Sequence, residues 1–144
     1  MKSFLQKYKY GILAIIFSIV SVGTISLLSK REKIERLKLY KSGLYSIGKV
    51  TDFRKETRSH YYKYSFYFNN KLYKASCYCG GSSSSLNIGQ KYFIILNPEK
   101  PWSYNYLLYS YPVPDSITSA PPEGWKEFPI PVDKEEIRKF LEDY

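Results

Sequence analysis

Few side chains in this chain are of the types that carry out acid–base, nucleophilic or metal chemistry. Its one histidine, His60, lies at the edge of a predicted strand, where we expect a solvated ring. Cys77 and Cys79 form a C-x-C pair. Because two thiolates do not complete a four-ligand metal site, and a bridge between residues i and i+2 is geometrically poor, we expect two reduced thiols in a core.

Other sequence patterns that are typical of catalytic or phosphate-binding sites are also incomplete. Two glycines precede a run of four serines at 82–85, but the lysine and the helix N-terminus of a phosphate-binding P-loop are missing, and a loop is expected instead. The sequence has no Gly-x-Ser-x-Gly element. Three acidic residues of the middle segment are scattered rather than paired: Asp52, Glu56 and Glu99. We therefore expect a protein that is not an enzyme and uses no cofactor or metal.

One stretch combines basic and aromatic residues: Arg54, Lys55, Arg58, Tyr61, Lys63 and Tyr67. The plainest interpretation is a solvated strand face. The functional interpretation is a surface that contacts a protein partner or lipid headgroups, with cations and tyrosines at the interface. A face that stacks single-stranded nucleic acid is a third interpretation, but we expect no nucleic-acid partner.

The elements that position these residues begin with a membrane segment. Residues 10–29 read YGILAIIFSIVSVGTISLLS and contain no charged side chain. Twenty helical residues span about 30 Å, the thickness of a bilayer's hydrocarbon core. A cleaved signal peptide is the alternative, but the apolar run is long for one. We expect a single-pass protein of the cell (inner) membrane, with a basic N-terminus at 1–9.

The charges around the segment predict its orientation. Residues 1–42 carry nine Lys/Arg and two acids, residues 43–107 carry nine and three, and residues 108–144 carry four and eight. The C-terminal flank of the span holds more cations than the N-terminal flank, so the positive-inside rule favours a cytoplasmic C-terminal domain. The acidic last segment and the basic middle segment attract each other.

Residues 30–42 continue with helical periodicity up to Gly43, which predicts a juxtamembrane helix; a short coiled-coil stalk is the alternative.

From residue 43 to 108 the pattern predicts a small all-β domain of about five antiparallel strands, an SH3- or OB-like barrel or sandwich. The first predicted strand is 45–53. Residues 61–79 form a predicted hairpin around Asn69-Asn70, which pairs Phe68 with Lys71 and Phe66 with Tyr73. Residues 91–96 and 102–108 supply the last two strands.

The C-terminal part has a different character. Prolines from Pro112 to Pro131 predict an irregular segment at 109–132. A short amphipathic helix follows at 133–144, with Asp133 as N-cap. Its apolar stripe consists of Ile137, Phe140 and Leu141. We expect this stripe to dock on the β domain, because so short a helix does not persist alone in water. The alternative is a tail that binds a partner and is disordered when alone.

Residues 43–108 resemble a large set of uncharacterised bacterial membrane proteins with a domain of unknown function. The matching residues are Gly48-Lys49-Val50, Tyr64-x-Phe66, Asn70-Lys71-x-Tyr73 and the run at 88–93 that leads into Asn97-Pro98-Glu99-Lys100-Pro101. The resemblance implies a small β module beside transmembrane helices and supplies no catalytic residues. Taken together, the sequence predicts a membrane-anchored interaction module with a protein partner. An immunity- or inhibitor-type protein that captures a toxin or enzyme at the membrane is the alternative.

Overall fold

The structure is a computed structural model that describes residues 2–56, 59–80 and 85–144. The chain divides into two compact units, Met1–Glu35 and Arg36–Tyr144.

The first element is a single continuous helix, α1 (Lys2–Ser42). It joins the three segments expected at 1–9, 10–29 and 30–42. Its candidate membrane span is Tyr10–Ser42, with a mean hydropathy of 2.4 in an apolar window that is not buried within the protein. The helix is therefore long enough and apolar enough to cross a bilayer. A signal sequence near an N-terminus has the same properties.

Hydroxyl groups within the apolar helix bond to its own backbone. Ser21 Oγ donates to the carbonyl of Phe17 at 2.8 Å, so its hydroxyl needs no solvent partner. The helix ends, as predicted, before Gly43, whose N–H donates to the carbonyl of Leu39 at 2.7 Å.

Unit Arg36–Tyr144 is built on five antiparallel strands, which confirms the expected all-β domain. The strands are β1 (Leu44–Glu56), β2 (Ser59–Phe68), β3 (Lys71–Gly80), β4 (Lys91–Leu96) and β5 (Asn105–Pro112). They form one open sheet in the order β3-β2-β1-β4-β5. The sheet curls so that β5 approaches β3, but the two edge strands do not pair.

The predicted hairpin register is confirmed. Phe68 pairs with Lys71, and Phe66 pairs with Tyr73. Asn69 and Asn70 have φ values of 49° and 59°, the left-handed conformations that a two-residue type I′ turn requires. The four aromatic residues of β2 at even positions consequently lie on one side of the sheet, here called the inner face.

The extents of β1 and β5 differ most from the prediction. β1 continues to Glu56 through residues that are polar, because β2 provides cross-strand partners as far as Ser59. β5 runs from Asn105 to Pro112 rather than over 102–108. Pro112 was expected to exclude sheet structure, and that expectation was wrong, because β5 is an edge strand where a missing N–H is tolerated.

The inner face forms the larger apolar cluster. Phe66 and Ile94, both expected in the core, are 1 % and 0 % exposed. Gly48 lies between them, and a Cβ at this position would come within 2.7 Å of Ile94 Cγ2. Cys77 is buried in the same cluster, as expected, whereas the side chain of Cys79 lies outside the described residues.

The opposite side, here called the outer face, is covered over β4, β5 and the first half of β1. The cover includes Leu39 and Tyr40 of α1, parts of residues 113–132 (here called the strap) and α2 (Lys134–Asp143). Ile137 and Leu141 of α2 are buried there, so the predicted docking of the C-terminal helix is confirmed.

Specific contacts hold this cover in place. Asp133 caps α2 by accepting a hydrogen bond from the N–H of Glu135 at 2.9 Å. The strap pairs with β1 through reciprocal backbone bonds of 2.8 Å between Tyr45 and Trp125. Gly124 makes this approach sterically allowed, because its φ is +75° and an added Cβ would lie 2.7 Å from the carbonyl oxygen of Tyr45.

Candidate binding surface

The outer face of β2 and β3, with the adjoining part of β1, is the part of the sheet that the strap and α2 leave open. Alternation along each strand brings two sets of side chains to this open face. They are Tyr61, Lys63, Ser65 and Tyr67 of β2 and Leu72, Lys74, Ser76 and Tyr78 of β3. Tyr67, Leu72 and Tyr78 are 64 %, 45 % and 58 % exposed, although large apolar side chains usually lie inside.

A row of lysines crosses the open face at one level. Pairing places Lys91 of β4 opposite Lys49 of β1, Lys49 opposite Ser65 of β2, and Ser65 opposite Lys74 of β3. Neighbouring strands lie about 5 Å apart, so Lys49 is about 5 Å from Lys91 and about 10 Å from Lys74 in backbone position. Like charges directly opposite each other destabilise a sheet. An anionic group bound between them would remove that repulsion.

Two shallow grooves run over this face and meet at Ser65. The first, of about 430 Å³, lies over the β2–β3 hairpin between Tyr61, Lys63, Leu72 and Lys74. The second, of about 380 Å³, lies between the sheet and strap residues 118–122. Its lining includes Lys49, Tyr67 and Lys91, and Lys91 Nζ donates to the carbonyl of Thr118 at 3.1 Å.

Not all cations of the face are equally available. Lys63 Nζ lies 2.9 Å from the carboxylate of Asp52, and this hydrogen bond, followed by one from the N–H of Phe53, lowers the pKa of Asp52. Within the described part of the chain, the ion pairs do not include Lys49 or Lys74. These two ammonium groups are therefore the better candidates to meet an anionic group.

The structure brings together four of the six residues predicted to contact a partner or headgroups. Arg54 pairs with Tyr61 and shares the outer face with Lys63 and Tyr67. Lys55 pairs with His60 and therefore lies on the opposite side of the sheet. Arg58 lies outside the described residues.

His60 differs from its expected solvated state. Its ring is half-buried and lies 5.5 Å from Phe53 and 6.4 Å from Tyr62, centroid to centroid. The reason is that β1 pairs with β2 as far as Ser59, which places the ring of Phe53 beside His60 on the same side of the sheet. Among the described residues, no three His, Cys, Asp or Glu side chains come together as a candidate metal site.

Sequence reasoning missed the lysines and the leucine that complete the open face. The hairpin register already places Lys74 beside Ser65 and Leu72 beside Tyr67, so the β3 residues could have been found from it. Lys49 and Lys91 become neighbours only through the long-range pairing of β1 with β4, for which the sequence has no local signal.

The arrangement presents ammonium and hydroxyl donors beside exposed aromatic and aliphatic side chains. Comparison with known proteins finds no match to a family model, to a curated sequence or to a solved structure. The resemblance of residues 43–108 to membrane-protein β modules therefore stays a prediction.

Proposed function

We propose that this protein is a membrane-anchored, non-enzymatic binding module whose open face holds a protein partner. The observation that supports this is the uneven cover of the outer face. The strap and α2 bury the apolar residues over β4 and β5, whereas Tyr67, Leu72 and Tyr78 stay exposed in the same sheet. Exposed aromatic residues of this kind are typical of protein interfaces, which are enriched in tyrosine.

The anchor in this proposal is α1, an uncleaved single span of the cell membrane. The cations that follow the apolar stretch, from Lys30 to Lys41, outnumber those before it. By the positive-inside rule the β domain is then cytoplasmic. Carbonate extraction followed by N-terminal sequencing tests the anchor: the chain should stay in the membrane fraction with its first residues intact. Release into the supernatant, or a new N-terminus near Thr24, would contradict it.

The partner in this proposal carries negative charge where it meets the lysine row. Lys49 and Lys74 lie on the open face and take part in none of the ion pairs among the described residues. The acidic C-terminal segment of this chain is docked elsewhere, through α2. A toxin or enzyme captured at the membrane would use the same surface.

Site-specific photo-crosslinking in native membranes tests the proposal. A photoreactive phenylalanine analogue replaces Leu72 on the open face, and a matched chain carries it in place of Trp102, which is 65 % exposed in the turn before β5. We expect a protein adduct from position 72 that Lys74→Glu abolishes, and no such adduct from position 102. Equal adducts at both positions, or none at position 72, would refute the assignment of this surface.

A further inference from the structure

The free edge of β3 adds a second feature to the open face. β3 ends the sheet on one side, and within the described part of the chain no strand pairs with its other side. It is ten residues long, and within its described side chains, at 71–78, five are exposed: Lys71, Leu72, Lys74, Ser76 and Tyr78. An edge strand presents a row of backbone donors and acceptors to which another chain can pair.

The hairpin register identifies which backbone groups point outward. In a two-residue hairpin the residues flanking the turn, Phe68 and Lys71, form a hydrogen-bonded pair, and the pairs alternate from there. The N–H groups of Tyr73 and Ala75 are therefore directed at β2, and those of Leu72, Lys74 and Ser76 are directed away from it. The same three residues also send their side chains to the open face.

We propose that β3 binds an extended acidic segment of a protein partner, which adds to the sheet as a sixth strand. This inference rests on the proposed function and specifies how its partner binds. Backbone hydrogen bonds to the edge supply affinity, and alternate side chains of the added strand lie on the open face beside Leu72 and Lys74.

The positive charge of β3 and the lysine row favours an acidic segment as the added strand. β3 carries two lysines and no acidic residue, and the lysine row extends this positive charge across the face through Lys49 and Lys91. Glutamates or aspartates at alternate positions of an added strand would meet Lys74 and the row behind it. A second copy of β3 would instead bring two positively charged strands together, which disfavours self-pairing.

The apolar residues of the edge define the rest of the segment. Leu72 lies opposite Tyr67, and both are exposed. Cross-strand apolar and aromatic pairs stabilise a sheet, so an added strand gains by placing a β-branched or aromatic residue next to Leu72. The expected ligand therefore alternates acidic residues with an apolar one on the face that it shares with β3.

The first test uses the full chain in phosphatidylcholine nanodiscs and two synthetic peptides. One is Thr-Glu-Thr-Val-Thr-Glu-Thr-Thr, which places its acidic and apolar side chains on one face of an added strand, and the other has lysine in place of each glutamate. Amide hydrogen exchange measured by NMR should slow at least tenfold at the outward N–H groups of Leu72, Lys74 and Ser76 when the acidic peptide binds. The inward N–H groups of Tyr73 and Ala75 are the internal control and should change little. The lysine peptide should cause no protection.

Two substitutions at one position separate strand addition from general charge attraction. Ser76→Pro removes an outward N–H without removing a bond to β2, and edge strands tolerate proline there. Ser76→Ala keeps that N–H, and both variants lose the hydroxyl that accepts from Tyr61 at 2.6 Å. We expect Ser76→Pro to weaken peptide binding about five- to tenfold relative to Ser76→Ala, and Lys74→Gln to weaken it about two- to fivefold.

Several results would overturn the inference. Outward amides that are already protected, together with slower diffusion of the chain alone, would assign the edge to a second copy. No protection at millimolar peptide, or equal binding by the two Ser76 variants, would exclude strand addition. Perturbation of the lysines by nanodiscs containing anionic lipid, with no backbone protection by peptide, would assign the face to headgroups.

The crosslinking experiment separates failure of this inference from failure of the proposed function. If the adduct at position 72 forms equally in Ser76→Pro and Ser76→Ala, the open face binds a partner but not by addition of a strand. If no adduct forms in any variant, the proposed function itself is wrong.

Discussion

Replacement of Ile137 by alanine tests how α2 is held on the sheet. Ile137 is 0 % exposed and packs with Phe93 and Leu108 in the apolar cluster of the outer face. The ten-residue helix that carries it is too short to be stable alone. Truncating a fully buried isoleucine to alanine costs about 2–5 kcal/mol, since apolar contacts are lost and a cavity remains. Because small domains are stable by about 5–15 kcal/mol, this loss is a large part of the total.

The matched control lies on the same helix. Lys139 is exposed, so Lys139→Ala should change the free energy of unfolding by about 0.5 kcal/mol or less. Both variants gain the same helix former, so the difference between them reports burial rather than helix propensity. The ion pairs of α2 connect Arg138 to Glu135 and Glu142 within the helix, and therefore docking should persist in 1 M NaCl.

Urea unfolding of the full chain in detergent micelles measures the effect. Fluorescence of Trp125, which packs against the same cluster, follows the loss of tertiary structure. Amide exchange of residues 134–143 follows α2 itself, and its protection should fall in Ile137→Ala and not in Lys139→Ala. Equal destabilisation by the two variants, or protection that disappears in salt alone, would refute docking through apolar burial.

Three further predictions concern the sheet and its strap. Gly124→Ala should destabilise the domain by about 1–3 kcal/mol, because φ is +75° and the new Cβ meets a backbone oxygen; Gly89→Ala, also at positive φ but in open space, should cost less, and urea unfolding compares the two. Ile94→Ala should cost about 2–5 kcal/mol in the same assay, since this side chain is 0 % exposed, and an unchanged midpoint would contradict its place in the core. Burial raises the pKa of Tyr64 well above its ordinary value of 10.0, so its share of stability is complete below pH 10 and is lost as pH rises further. Tyr64→Phe should therefore lose less stability than the natural chain between pH 9 and pH 11, and a parallel loss in both chains would contradict this.

Local sequence was sufficient wherever the signal lay within a few residues. The uncharged run at 10–29 predicts a helix because a bilayer-length apolar segment has few other stable forms. The alternation in β2 and β3, with Asn69-Asn70 between them, predicts the hairpin and its register, because a shift by one residue would expose every inward aromatic side chain. Asp133 and the stripe that includes Ile137 likewise predict α2 and the face that it buries.

Tertiary structure decided what local patterns do not encode. Pro112 ends a strand because β5 lies at the sheet edge, and an edge position is a property of the whole strand order. Lys49 and Lys91 become neighbours through the pairing of β1 with β4, across some forty residues of chain. The sequence by itself determined the apolar helix, the hairpin and the docking helix, because their patterns are local. Which half of the outer face stays open depends on where the strap and α2 pack, and only long-range contacts set that.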